Sequence, residues 1–224
     1  MIPRPQLLVC DMIGTTVAAT DAVPDAFALA LAPEGVAVGP AALAGVRGLN
    51  KRDAIAQLVP PGSDHEARAA AAYRRFTTAL SDAYARPGAV RALDGAADVV
   101  RRCRAAGLRV VLTTGFDRAM AALLLRVLDW AAHADGVVCG DEVARGRPAP
   151  CLIERAMQMT GVTDPVRVAV VGDTVADLEA GRNAGAGWNI GVWSGAHDRT
   201  RLAAAPHTHL CASIADVPAL LGLP

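Results

Sequence analysis

A few residues in this sequence have the types and spacing to do chemistry together. The first apolar run ends in Val9-Cys10-Asp11-Met12-Ile13-Gly14-Thr15-Thr16-Val17, which sets the carboxylate of Asp11 at a strand end, ahead of a glycine and two hydroxyls. A carboxylate there can act as nucleophile and metal ligand, while the turn's N–H groups and Thr15 can hold phosphate oxygens. A second run closes on Thr113-Thr114-Gly115, a hydroxyl pair placed to bind a phosphoryl oxygen. A third closes on Val171-Gly172-Asp173-Thr174 and is followed by Asp177. Asp173 then falls in a loop and Asp177 in a first helical turn, so both can face one cation beside Asp11. Asp177 in that turn can equally serve as a helix cap. Gly146-Arg147-Pro148-Ala149-Pro150 supplies a cation held by the following proline at the start of a helix. Arg147 there suits a transferring phosphoryl group or, alternatively, a plain surface position.

Lys51 is the only lysine among 22 basic residues. Arginine keeps its proton at working pH, so an amine nucleophile can come from one side chain only. In Gly48-Leu49-Asn50-Lys51-Arg52-Asp53, Asn50 is set to cap the helix that follows, which puts Lys51 in its first turn. There the positive helix end and the neighbouring Arg47 and Arg52 disfavour the ammonium. A solvated lysine, left single by arginine-rich codon usage, is the other reading of this residue.

The elements that must position these groups follow from periodicity. Apolar runs at 7–10, 108–114, 136–139, 166–172 and 188–193 alternate with amphipathic stretches of helical period, the pattern of an α/β fold with a doubly wound, parallel, Rossmann-like sheet. The stretch 19–87 holds no convincing strand. Its longest helix is predicted to open at the capping-box pair Ser63 and Glu66 and to stop at Arg86-Pro87-Gly88. This divides the chain into a core of 1–18 and 88–224 and an inserted α-helical cap of 19–87, seated over the strand ends where such sheets bind ligands. The cap's alanine-rich helices carry more apolar face than a small cap buries alone, which points to a homodimer through the cap.

Composition bounds the rest. A chain of 224 residues buries enough apolar surface to fold without disulfides or structural metal. Acidic and basic residues balance at 22 each, so no global field gathers nucleic acid or an anionic membrane, and an anion site must be built locally. The five scattered cysteines lack zinc-ligand spacing and read as reduced thiols. With neither a signal-like N-terminus nor a membrane-length apolar run, a soluble, cytoplasmic protein is expected.

The order Asp11, Thr113/Thr114, Arg147, Asp173/Asp177 resembles the four motifs of the haloacid dehalogenase superfamily. The likeness runs along the whole chain and includes a helical cap after the first motif. Phosphatases of that superfamily resemble one another in a second Asp two residues after the nucleophile, which protonates the departing alcohol; here that position is Ile13. Loss of a general acid costs on the order of a hundredfold to ten-thousandfold, so a leaving group that needs no proton on oxygen suits this chain better. The segments DMIGTTV, RGLNKRD, TTGFDRAM, GRPAP and VGDTVADLEAGRNAG are similar to those of phosphonoacetaldehyde hydrolases.

That resemblance implies Asp11 as nucleophile, Lys51 as Schiff-base residue, and Thr114 and Arg147 as phosphoryl contacts. Thr15, Gly48, Thr113, Gly115 and Arg47 complete the substrate side. Asp11, Asp173, Asp177 and the backbone carbonyl of Ile13 become the ligands of a magnesium ion. Three positions depart from the family pattern, which has Ala at Ile13, Met at Arg47 and His at Ala54. The last removes an expected proton carrier, and Arg47 adds a cation near the carbonyl end of the substrate. The leading reading is cleavage of the C–P bond of phosphonoacetaldehyde or a close phosphonoaldehyde. A phosphatase acting on a small phosphate ester, and a non-catalytic phosphate-binding module, are the rivals.

Overall fold

The computed structural model describes residues 2–18, 20–130 and 133–223. Six parallel strands form one sheet: β1 (Leu7–Asp11), β2 (Arg109–Thr113), β3 (Gly136–Val138), β4 (Val168–Gly172), β5 (Trp188–Val192) and β6 (His209–Cys211), in the order β3-β2-β1-β4-β5-β6. Every residue of β1 and β4 is buried, as a parallel sheet covered on both faces requires. Alternate side chains of β1 enter separate cores. Leu8 and Cys10 join Val99 and Val100 of α5 (Ala96–Ala105) and Leu124 of α6 (Arg118–Val127). Leu7 and Val9 join Leu152 and Ile153 of α7 (Cys151–Thr160) and Ala180 of α8 (Val175–Asn183). The parallel, doubly wound α/β architecture is the one periodicity predicts. Strand β6 went unanticipated because its short, half-buried sequence sits at the sheet edge, paired with β5 alone.

Topology places the functional residues. The chain steps from β1 outward through β2 to β3, then crosses back to lay β4 on the other side of β1. The loops leaving β1 and β4 therefore diverge, and the crevice between them is where such sheets bind ligands. Asp11 is the last residue of β1 and Asp173 the first after β4. In the register between strands, Asp11 pairs with Thr113 of β2, and Cys10 lies between Leu112 and Val171.

Between β1 and α5 run α1 (Ala22–Leu31), α2 (Pro40–Val46), α3 (Lys51–Leu58) and α4 (His65–Tyr84). The α1 and α4 helices pack against each other through Phe27 and Phe76, whose ring centroids lie 4.8 Å apart. At the end of this seam Glu34 is clamped by Arg68 at 2.7 Å and Arg75 at 2.6 Å. The helix α4 begins at His65, so the anticipated Ser63/Glu66 box does not form. Asp64 occupies the N-cap position without a side-chain cap bond, its carboxylate lying 3.7 Å from Arg68. The expected boundary at Ala19 lies outside the described residues. The chain ends through α9 (Arg199–Ala203) and α10 (Val217–Leu220). No helix among the described residues is long and apolar enough to cross a membrane. All five cysteines are free thiols, and burial pushes that of Cys10 well above its ordinary pKa.

Phe76 is fully buried at the α1–α4 contact, so Phe76→Ala should destabilise the protein by about 3–5 kcal/mol, read from chemical denaturation. A loss below about 1 kcal/mol would mean that this contact does not hold the helices together.

Candidate active site

The turn after β1 is built to bring Asp11 and Asp173 together. The N–H groups of Thr15, Thr16 and Val17 all donate to Met12 O, and Gly14 N donates to Val17 O. Gly14 takes φ +96°, and a Cβ there would lie 2.2 Å from Asp173 Oδ2, so only glycine fits this turn against the β4 loop. Asp173 is held from three directions: Thr15 Oγ1 donates to its Oδ1 at 3.1 Å, Ala196 N donates to its Oδ2 at 2.7 Å, and its backbone oxygen accepts from His197 N at 3.3 Å. Asp177 completes a capping box with Thr174 through Oδ2. Its Oδ1 lies 2.9 Å from Arg147 Nε, outside hydrogen-bonding geometry. Capping and facing the site are thus divided between the two oxygens of one carboxylate.

Arg147 ties the cluster together. Its guanidinium lies 2.7 Å from Asp11 Oδ1 and donates through Nη2 to Thr113 Oγ1 at 2.8 Å. Arg147 sits in the loop ahead of α7, which starts at Cys151, rather than at a helix start as its prolines led one to expect. It is buried, which removes the surface reading. The threonine pair also divides its work. Thr113 turns inward, donating to Cys10 O and accepting from Arg147. Thr114 lines the cavity and accepts from Phe116 N at 3.2 Å.

Lys51 is delivered by a loop docked on backbone. Asn50 caps α3 by accepting from Arg52 N at 2.9 Å, and its Nδ2 donates to Gly140 O at 2.7 Å. Lys51 N donates to Gly115 O at 3.0 Å. A Cβ on Gly115 would stand 2.5 Å from Leu49 O, and one on Gly146 2.7 Å from Asn50 Cβ, so this approach needs glycines on the core side. Lys51 Nζ donates to Leu49 O at 3.1 Å and lies 5.3 Å from the Phe116 ring centroid. Its pKa is brought down to about 8, chiefly by burial, with Arg147 pressing the same way and Asp11, Asp177 and Asp173 opposing. Arg47 and Arg52, expected to cause such a shift, are otherwise engaged. Arg52 lies over the Tyr73 ring at 4.6 Å, and Arg47 Nη1 donates to Ala196 O at 3.0 Å.

These groups converge on a cavity of 330 Å³. Asp11, Ile13, Arg47, Gly48, Lys51, Thr114, Gly115, Arg147 and Asp173 line it, together with Thr174, Gly195 and Ala196. Of the residues singled out in the sequence, Thr15, Thr113 and Asp177 stand behind the wall and hold those in front. Sequence reasoning missed the strap Trp193-Ser194-Gly195-Ala196-His197. Ser194 Oγ donates to Gly14 O at 3.0 Å, and His197 Nδ1 accepts from Val175 N at 3.0 Å at the start of α8. The signal was present, because the strap follows the apolar run of β5 and so lies at the same sheet edge.

Burial raises the pKa of Asp11, with Asp177 adding to the rise and Arg147 opposing it. Burial also raises that of Asp173, where the negative charges of Asp11 and Asp177 reinforce it. Three carboxylates whose ligand atoms lie within 4.8 Å of one another thus face two cations, Arg147 and Lys51. This excess negative charge and all-oxygen donor set fit a hard divalent cation. No thiol or imidazole belongs to the cluster, so its chemistry is not that of a zinc site.

A family model described as haloacid dehalogenase-like hydrolase matches residues 5–185. A phosphonoacetaldehyde hydrolase from Bacillus cereus (strain AH187) is 35% identical over 107 residues, 47% of this chain and 40% of that protein. One from Latilactobacillus sakei is 39% identical over 79 residues, 35% of this chain and 30% of that protein. The matched stretches thus span less than half the length of these curated relatives. Among solved structures, a hydrolase from Pseudomonas syringae superimposes with TM-score 0.85 at 20% identity, covering 97% of this chain and 98% of the other. A phosphonoacetaldehyde hydrolase-like protein from Oleispira antarctica does so with TM-score 0.85 at 21% identity, covering 99% and 92%. At these identities the structures speak for the fold.

The raised carboxylates have a consequence for stability. Above their ordinary pKa near 4, the folded state holds protons that the unfolded chain has lost, so stability falls as pH rises through that window. Lys51, down to about 8, adds a cost that is constant below that pH. Metal-free protein should therefore lose Tm between pH 5.5 and 7.5. Added magnesium, which competes with those protons, should raise Tm more at pH 7.5 than at pH 5.5. Equal gains at both values in differential scanning fluorimetry would contradict the assignment of the carboxylate cluster as the cation site.

Proposed function

The chain belongs to the haloacid dehalogenase-like hydrolase family, and on that premise we propose that it is a magnesium-dependent enzyme cleaving the C–P bond of phosphonoacetaldehyde or a close phosphonoaldehyde. One observation carries the reading: the chain's only lysine opens into the same cavity as Asp11, while Ile13 occupies the place of the leaving-group acid. The relatives named phosphonoacetaldehyde hydrolase support it. In this reading α1–α4 form the cap, a homodimer forms through their outer faces, and the free cysteines accord with a cytoplasmic setting.

With a pKa of about 8, roughly a tenth of Lys51 carries the free amine at pH 7. Its Nζ attacks the substrate carbonyl and water departs, leaving a protonated imine. An Asp11 oxygen attacks phosphorus on the side opposite carbon. The electron pair of the breaking P–C bond flows into the iminium to give an enamine, so no oxygen has to be protonated. The enamine takes a proton at carbon, hydrolysis of the imine releases acetaldehyde, and water cleaves the Asp11 aspartyl-phosphate. Asp11, Asp173, Asp177 and the Ile13 carbonyl would hold magnesium, which would supply the positive charge that lets a carboxylate approach a phosphoryl dianion. Thr114 and Arg147 bind the phosphoryl oxygens, with Gly48, Gly115 and Arg47 around the substrate. Thr15 and Thr113 orient Asp173 and Arg147. Ala54 is buried in α3 and offers no proton carrier.

The phosphatase reading has one observation in its favour: at neutral pH most of Lys51 is still an ammonium, suited to binding an anionic ester. Lys51→Arg separates the two. It keeps charge and reach but removes the amine, and in the C–P reading kcat on phosphonoacetaldehyde should drop by roughly a thousandfold or more at any substrate concentration. A change confined to KM would favour the phosphatase. Since the free amine is the active form, the parent enzyme's kcat/KM should fall as pH drops through about 8. A flat profile from pH 6 to 9 would count against the amine nucleophile. Magnesium-dependent phosphate release from either substrate class would exclude a purely binding role.

A further inference from the structure

The cavity has an apolar wall besides the polar one that a phosphoryl group and a carbonyl call for. Its 330 Å³ is bounded by walls of two kinds. The polar wall comes from the strand ends through Asp11, Thr114, Arg147 and Asp173. An apolar face beside it comes from α1 and α2 through Val23, Pro24, Phe27, Leu43 and Val46. Phe27 and Val46 are buried, and the Phe27 ring is pinned against Phe76 at 4.8 Å, so this part of the wall is preformed rather than a collapsed surface.

Such a wall cannot recognise a second ionised group, which would lose its hydration there without gaining a partner. Of the other charged side chains that line the cavity, Lys51 belongs with Asp11 and Arg147 at the polar end, while Asp21 and Arg47 are exposed and opposite in sign. They leave the mouth without a net charge to hold a carboxylate. A preformed apolar surface beside a few convergent polar groups is how small-molecule sites divide recognition.

We propose that the substrate's organic part carries an apolar group of several carbons, seated against Val23, Phe27, Leu43 and Val46 while the phosphoryl group lies at Asp11. This rests on the phosphoryl site of the reading above but not on its imine step. The substrate class is then a phosphonate or phosphate with a hydrocarbon substituent beyond the reacting carbon, and α1 and α2 set its length.

Calorimetric titration of the magnesium-loaded protein with n-alkylphosphonates from methyl to hexyl tests this. These probes carry no carbonyl, so they report binding alone. The Kd should fall roughly two- to fourfold per methylene from methyl through butyl, and Leu43→Asp should reverse the order so that methyl binds more tightly than butyl. A Kd that stays flat or rises along the parent series would overturn the apolar subsite while leaving the Schiff-base reading standing. A graded series from an enzyme whose Lys51 never reacts with an aldehyde would keep the subsite and remove the imine step. Failure of every member to bind would overturn the phosphoryl site, and the subsite with it. Should Leu43→Asp not fold, the parent series decides alone.

Discussion

Three carboxylates buried beside one guanidinium set the terms for this structure. Asp11, Asp173 and Asp177 come from two neighbouring strand ends and the helix after the second, and they meet because β1 and β4 are adjacent although distant in sequence. Burying like charges this close is costly unless cations and hydrogen bonds offset it. Arg147 contacts two of the three carboxylates, while Thr15 and Ala196 satisfy the other. The turn after β1, the Thr174–Asp177 capping box, the strap at 193–197 and the inward Thr113 are all devices for holding that charge in place. A folding unit that needed only stability would fill this crevice with apolar side chains, so the cluster is where the chain departs from what stability alone would select.

The same cluster acts on Lys51, which stands among acids yet has a lowered pKa. Carboxylates pull its pKa up, burial and Arg147 push it down, and the second pair wins. That balance depends on how closely the α3 start approaches the core, which the glycines at 115 and 146 permit and Asn50 secures through Gly140. The α1–α4 seam, with Phe27 against Phe76, supports the cavity wall on the other side. Sheet topology, helix packing and the lowered pKa of the amine thus form one chain of causes.

Much of this was legible in the sequence because strand ends advertise themselves. An apolar run stopping at Asp11, Thr114 or Asp173 fixes both the element and the sheet edge, and the Asn50 cap places Lys51 without any tertiary information. What stayed hidden depends on side-chain direction and on contacts between distant segments. Thr113 and Thr114 are adjacent, yet one turns inward to Arg147 and the other lines the cavity, a choice made by the pleat of β2. Arg47 and Arg52 looked close to Lys51 along the chain, but Tyr73 and Ala196 engage them, leaving burial as the main cause of the shift. Ser63 and Glu66 had the spacing of a capping box, but α4 starts at His65 and the spacing went unused. The 193–197 strap carried no motif, and its bonds to Gly14, Asp173 and Val175 exist only in three dimensions.

The proposed reaction requires Lys51 to form a covalent imine in the cavity that holds Asp11. Intact-mass and peptide-mapping mass spectrometry of enzyme treated with phosphonoacetaldehyde and borohydride tests it most directly. One ethyl group should be added per chain, located on Lys51, with activity lost in proportion. An enzyme that stays unmodified and fully active after the same treatment, while still turning the substrate over, would contradict it.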